Sequence, residues 1–162
     1  MMSRPFDPDI SIPPTIRLRL PSPVREQIAK DTYARFPHEA CGALFGTYAA
    51  GLVTIGNYKP LANMADNPHH AFLMEPEEWV KCCFTPGLIG IYHSHPTTLP
   101  EPSAADLDEL PQFGSLFSLY MIGSPATKKP PSDEGGFSLN TFLIVKKKES
   151  SQYELRKITT FC

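Results

Sequence analysis

GLIGIYHSHP, residues 87–96, is the stretch on which the reading of this chain turns. Leu88 to His95 has strand character, and Pro96 cuts it off because proline cannot donate to a ladder. Strand side chains alternate faces, so His93 and His95, two positions apart, project to the same side and can share one ion. Asp106 comes eleven positions after His95, and Pro96, Pro100 and Pro102 restrict the loop between them. Two imidazoles and a carboxylate are three ligands, which leaves the fourth tetrahedral position of Zn²⁺ open for water, as catalytic zinc requires. Nitrogen dominates this set and favours zinc over hard cations, although iron and nickel accept the same ligand types. An H-x-H pair by itself is a weak signal, since most strand histidines are ordinary surface or core residues.

Working towards the amino end, residues 40–48 and 52–58 read as a hairpin whose tight connection contains Gly51. Before it, Ser22 and Pro23 predict a helix start with Ser22 as the cap, Val24, Ile28, Ala29, Tyr33 and Phe36 form its apolar face, and Pro37 stops it. Alternation over residues 15–20 predicts a half-buried strand, preceded by a proline-rich, flexible lead-in over residues 1–14. Residues 59–73 read as a long loop, and Glu75 to Cys83 as a short helix with Pro76 in its first turn.

Towards the carboxyl end, Ser103 to Leu110 predicts a short helix, and strands follow near 116–122, 137–145 and 153–158. The proline- and charge-rich segment 124–136 between the first two reads as a flexible surface insertion. These elements predict an α/β domain over residues 15–162, a mixed β-sheet packed with about three helices.

Composition excludes several function classes. The 162 residues are 41% hydrophobic and 20% charged, a globular mix with room for one core. A formal charge of −2 argues against a nucleic-acid backbone or an anionic membrane as the main partner. No apolar run approaches the ~20 residues of a membrane span, and the amino end lacks a secretory pattern, so a soluble, cytoplasmic protein is expected. Cys41, Cys82, Cys83 and Cys162 show no C-x-x-C pair and read as reduced, structural thiols.

Ser103 and Asp106 also match an ordinary S-x-x-D helix cap, a role compatible with ligation because the first helical turn can aim the acid into a neighbouring site. Taken jointly, His93-x-His95, seven residues, Ser103, two residues and Asp106 form H-x-H-x7-S-x2-D, and Glu39 lies upstream in PHEACGALFG. With these residues the chain resembles the JAMM metalloproteases, also called the MPN-plus family, in their prokaryotic branch. The likeness runs from about Thr15 to the carboxyl end and includes NMADNPHHAFLMEPEEW. It implies a single MPN-type domain of cytidine-deaminase-like architecture. The deaminase chemistry itself needs H-x-E with a later P-C-x-x-C, and the zincins need H-E-x-x-H; neither motif occurs here.

The resemblance implies that His93, His95 and Asp106 bind one catalytic Zn²⁺ and its water. It further implies that Glu39 is general base and acid and that Ser103 donates to the oxyanion. The implied reaction is hydrolysis of a peptide or isopeptide bond after the C-terminal Gly-Gly tail of a ubiquitin-like or sulfur-carrier protein, with groove walls at residues 57–71 and 124–136. His69 and His70 read as lining the approach rather than as ligands, and Trp79 and Tyr92 as core. Two rivals stand beside it: a metal-free MPN scaffold subunit, and a peptidase for cell-wall or other short peptides. The scaffold type is marked by missing ligand positions, and all five signature positions are present here.

Overall fold

The computed structural model describes residues 16–125 and 136–162; the lead-in over 1–14 and most of the insertion over 124–136 lie outside them. The chain runs β1 (Arg17–Arg19), α1 (Ser22–Arg35), β2 (Cys41–Ala49), β3 (Leu52–Leu61), α2 (Pro76–Cys83), β4 (Leu88–Ser94), α3 (Ala104–Phe113), β5 (Leu119–Pro125), β6 (Phe137–Lys146) and β7 (Tyr153–Phe161). The strands form one mixed sheet in the order β1-β3-β2-β4-β5-β6-β7, and β1 also pairs with β7, so the sheet closes. The α/β class with a seven-stranded mixed sheet and three helices agrees with the sequence reading.

Local chemistry explains most boundaries. Ala50 and Gly51 both take positive φ, 50° and 79°, the backbone that a two-residue hairpin between right-twisted strands needs. The β2–β3 ladder shifts register at Phe45/Gly46, where Gly56 is the extra residue of β3, and a Cβ on Gly46 would stand 2.2 Å from the Thr54 carbonyl oxygen, so only glycine fits there. β3 continues through Pro60, beyond the expected end at Tyr58. Its outer side meets β1 only at Leu52, Val53 and Thr54, so Pro60 has no second ladder to interrupt.

The helices depart from expectation at their ends. Ser22 is the first residue of α1 rather than its cap; Pro21 holds the cap position without a side-chain hydrogen bond, and Pro23 sits in the first turn. Thr32 is buried on α1, where its hydroxyl bonds the Ile28 carbonyl at 2.8 Å and the Tyr92 hydroxyl at 2.7 Å. α3 runs through Pro111 to Phe113, past the expected end at Leu110. β5 begins at Leu119 rather than near 116.

Two apolar clusters flank the sheet. Leu18, Ile28, Leu44, Ile55, Tyr92 and Met121 pack on the α1 side, and Ile91, Leu110, Phe117, Tyr120, Ile122 and Phe142 on the α3 side. β4 lies centrally, antiparallel to β2 and parallel to β5, and is buried from Ile89 to Ser94. Its residue 89 is the extra one in the ladder with β2, which puts Ile89 on the α1 side while Ile91 faces α3. Burial on both faces fixes which way every later β4 side chain points, His93 included; β4 ends at Ser94, one residue short of the expected strand, and His95 follows it with its amide donating to the Gly123 carbonyl at 2.8 Å.

Candidate metal centre

The carboxyl end of β4 and the first turn of α3 bring His93, His95 and Asp106 together, all three buried. The Nε2 atoms of His93 and His95 are 3.1 Å apart; Asp106 stands 3.2 Å from the first through Oδ1 and 3.1 Å from the second through Oδ2. The Nδ1–H of His95 donates to the Leu99 carbonyl at 2.9 Å, so a neutral His95 turns a bare Nε2 lone pair towards the carboxylate. Acceptors face acceptors across a buried centre. A cation resolves that conflict, and an N₂O donor set suits Zn²⁺.

Orientation of the two rings has different origins. A metal-ligating histidine usually donates its second ring nitrogen to a fixed acceptor, as His95 does. The Nδ1 of His93 is buried with no hydrogen-bond partner among the described residues. Packing holds this ring instead, stacked on Phe72 with centroids 4.5 Å apart and against the edge of Tyr120 at 5.2 Å.

Asp106 is aimed by a reciprocal cap. Its amide donates to the Ser103 hydroxyl oxygen at 3.1 Å, and the Ser103 amide donates to Asp106 Oδ2 at 2.9 Å. The capping reading of this motif is therefore present in the geometry, and the cap turns Asp106 towards the two imidazoles. Burial works against the Asp106 anion, but the two imidazoles beside it and the Ser103 amide hold its pKa well below the carboxylate range. Burial lowers the pKa of His93; at His95 burial also acts downward, yet Asp106 and the Leu99 carbonyl outweigh it and leave the pKa raised.

His95 and Asp106 open onto a cleft of about 180 Å³ whose walls include Glu39, His69, His70, Phe72, Ser103 and Glu109, with His93 buried behind them. Glu39 is only 6% exposed, and burial first, then Asp106 and Glu109, raise its pKa to about 7 against an opposing pull from His95. Its amide donates to the Pro68 carbonyl at 2.7 Å, and its carbonyl accepts from Asn63 Nδ2 at 3.0 Å. His69 and His70 line the cleft outside the three-residue cluster, and His69 meets His38 edge-on at 4.8 Å.

A family model described as prokaryotic homologs of the JAB domain (Prok-JAB) matches residues 21–134. The chain belongs to the Prok-JAB family. A desampylase of Haloferax volcanii is 36% identical to this Prok-JAB chain over 94 residues, 55% of the chain; the match spans 64% of that relative's length. A protein of Desulfitobacterium hafniense with a solution structure superposes with a TM-score of 0.62 at 25% identity, covering 89% of this chain and 92% of its own.

Three residues that support the Prok-JAB site escaped the sequence reading. Ser94, the residue between the two histidines, accepts the Ala40 amide on its hydroxyl at 2.8 Å. Asn63 uses all four of its bonding positions, donating to the carbonyls of Glu39 and Ala71 and accepting the amides of Ala65 and Leu73. Glu109 stands one helical turn beyond Asp106 on the cleft wall. Nothing in the spacing of Ser94 and Asn63 marks them, since their partners lie far along the chain; Glu109 could have been found from its i, i+3 spacing to Asp106 on the expected helix.

Proposed function

We propose that this chain is a zinc-dependent amide hydrolase that cuts peptide or isopeptide bonds after the C-terminal Gly-Gly tail of a ubiquitin-like or sulfur-carrier protein. The observation that carries this reading is the convergence of three buried ligand residues, each pair with polar atoms within 3.2 Å, and a buried carboxyl group on the adjoining cleft. The desampylase relative supports a ubiquitin-like protein as the substrate.

Zinc bound at His93, His95 and Asp106 would polarise the scissile carbonyl and lower the pKa of a water towards ~7. The remaining work belongs to side chains. Glu39, a buried carboxyl group on the same cleft, would take a proton from that water and return it to the departing amine. Ser103 accepts the Asp106 amide on its oxygen, which leaves its hydroxyl hydrogen available to an oxyanion in the cleft. Glycine at the end of a substrate tail lets backbone approach such a centre closely.

The test combines metal quantification with a cleavage panel of ubiquitin chains and sulfur carriers extended beyond their terminal glycines. Stoichiometric zinc with cutting after the glycine pair is the expected result. Zinc-loaded protein that leaves the whole panel intact overturns the reading and favours the scaffold alternative.

A further inference from the structure

Glu109 is the one carboxylate on the cleft that the metal cluster and its neighbouring acid leave unassigned. It is half-buried, lines the cleft, and makes no hydrogen bond or ion pair among the described residues. Other acids near the site are differently placed: Asp106 is engaged by two imidazoles and an amide, and Glu101 pairs with Lys157 at 2.8 Å. A carboxylate partly removed from water with no cation beside it forgoes favourable interaction that a positively charged visitor would supply. Burial accordingly pushes its pKa up, with Asp106 adding to the shift.

Geometry says where that visitor sits. Glu109 follows Asp106 by three residues on α3, so the two lie on neighbouring turns of one face, about 4.5 Å apart along the helix axis. One extended residue spans ~3.3 Å, so a side chain reaching Glu109 belongs to a residue one or two positions from the bond held at the metal centre. We infer that Glu109 is a specificity-determining residue that selects substrates with a lysine or arginine side chain within two residues of the scissile bond.

This inference rests on the hydrolase reading, and two readouts keep their failures apart. The first is the kcat/KM ratio for Gly-Gly peptides continuing with Lys or Arg against those continuing with Ala or Glu, on zinc-loaded protein. The second is the Kd ratio for the same uncut peptides in a Glu39→Gln background. Wild type should favour the basic peptides over Ala by about fivefold, as a partly solvated ion pair allows. Glu109→Gln should flatten both ratios, and Glu109→Lys should turn them towards the Glu peptide. Cutting with flat ratios in wild type, or a basic preference untouched by either substitution, overturns the inference alone. A basic preference in binding without cutting by wild type overturns the hydrolase reading alone.

Discussion

Ser94 and Ala40 are joined twice: the Ser94 amide donates to the Ala40 carbonyl at 2.9 Å, and the Ala40 amide donates to the Ser94 hydroxyl at 2.8 Å. The residue between the two imidazoles thereby pins the residue after Glu39, coupling the ligand strand to the carboxyl group across the cleft. Ser94→Ala leaves the buried Ala40 amide unsatisfied and should cost about 1–3 kcal/mol. Thermal melts would read that loss, and turnover should fall while zinc stoichiometry holds. Full stability in the variant would show that the second bond contributes nothing.

Glu39→Gln should retain zinc and lose about 10²–10⁴-fold in turnover, since shape survives while proton transfer fails. The same substitution carries a pH signature in metal-free protein. The folded pKa of about 7 lies above the ordinary 4.5, so folding must take up a proton between these values. Stability from this group is full below pH 4.5 and is lost as pH rises through 7. Glu39→Gln should therefore be more stable than wild type by about 1–3 kcal/mol at pH 8, discounted for partial solvation, and equal to it near pH 4. Melts across that range check the sign.

Zinc should stabilise the wild type, by about 2.7 kcal/mol at one hundred times its dissociation constant, and a chelator should reverse the gain and abolish cutting. Asp106→Asn and His93→Ala should lose most of the zinc-induced rise in Tm. An undiminished rise in either variant would remove that residue from the ligand set. Phe72→Ala should weaken zinc binding as well, because stacking is what orients His93.

The proposed hydrolase gives Ser103 two separable duties, helix cap and oxyanion donor. Loss of the cap in Ser103→Ala should cost about 1 kcal/mol of stability, and loss of an oxyanion donor about 10²–10³ in kcat. Ser103→Thr, which keeps the hydroxyl, should restore both. If the kcat of the Ala variant falls only in proportion to its zinc occupancy, the hydroxyl serves Asp106 alone.

What could be read in one dimension was what depends on neighbours in sequence. Two-residue spacing put His93 and His95 on one face, the cap motif aimed Asp106, and Gly51 marked the hairpin. Glu109, three residues after Asp106 on the expected helix, was within reach of spacing alone. Ser94 and Asn63 were illegible because their meaning comes from partners far along the chain, 54 residues away for Ser94 and 24 for Asn63 and Glu39. Sheet closure was illegible for the same reason, since β1 and β7 meet from opposite ends of the sequence. β3 and α3 run on through Pro60 and Pro111, past their expected ends, because proline ends an element only where its missing amide or its ring meets resistance from the surroundings.

The seam between β1 and β7 bears on how this protein can be shortened. Arg17, Leu18 and Arg19 are the only residues of β1, yet they zip β3 to β7. The segment shared with the family, residues 21–134, excludes that strand together with β6 and β7. Excised at those limits, the piece would retain His93, His95 and Asp106 and still be left with raw strand borders inviting self-association, so the matched segment should not stand as a unit by itself.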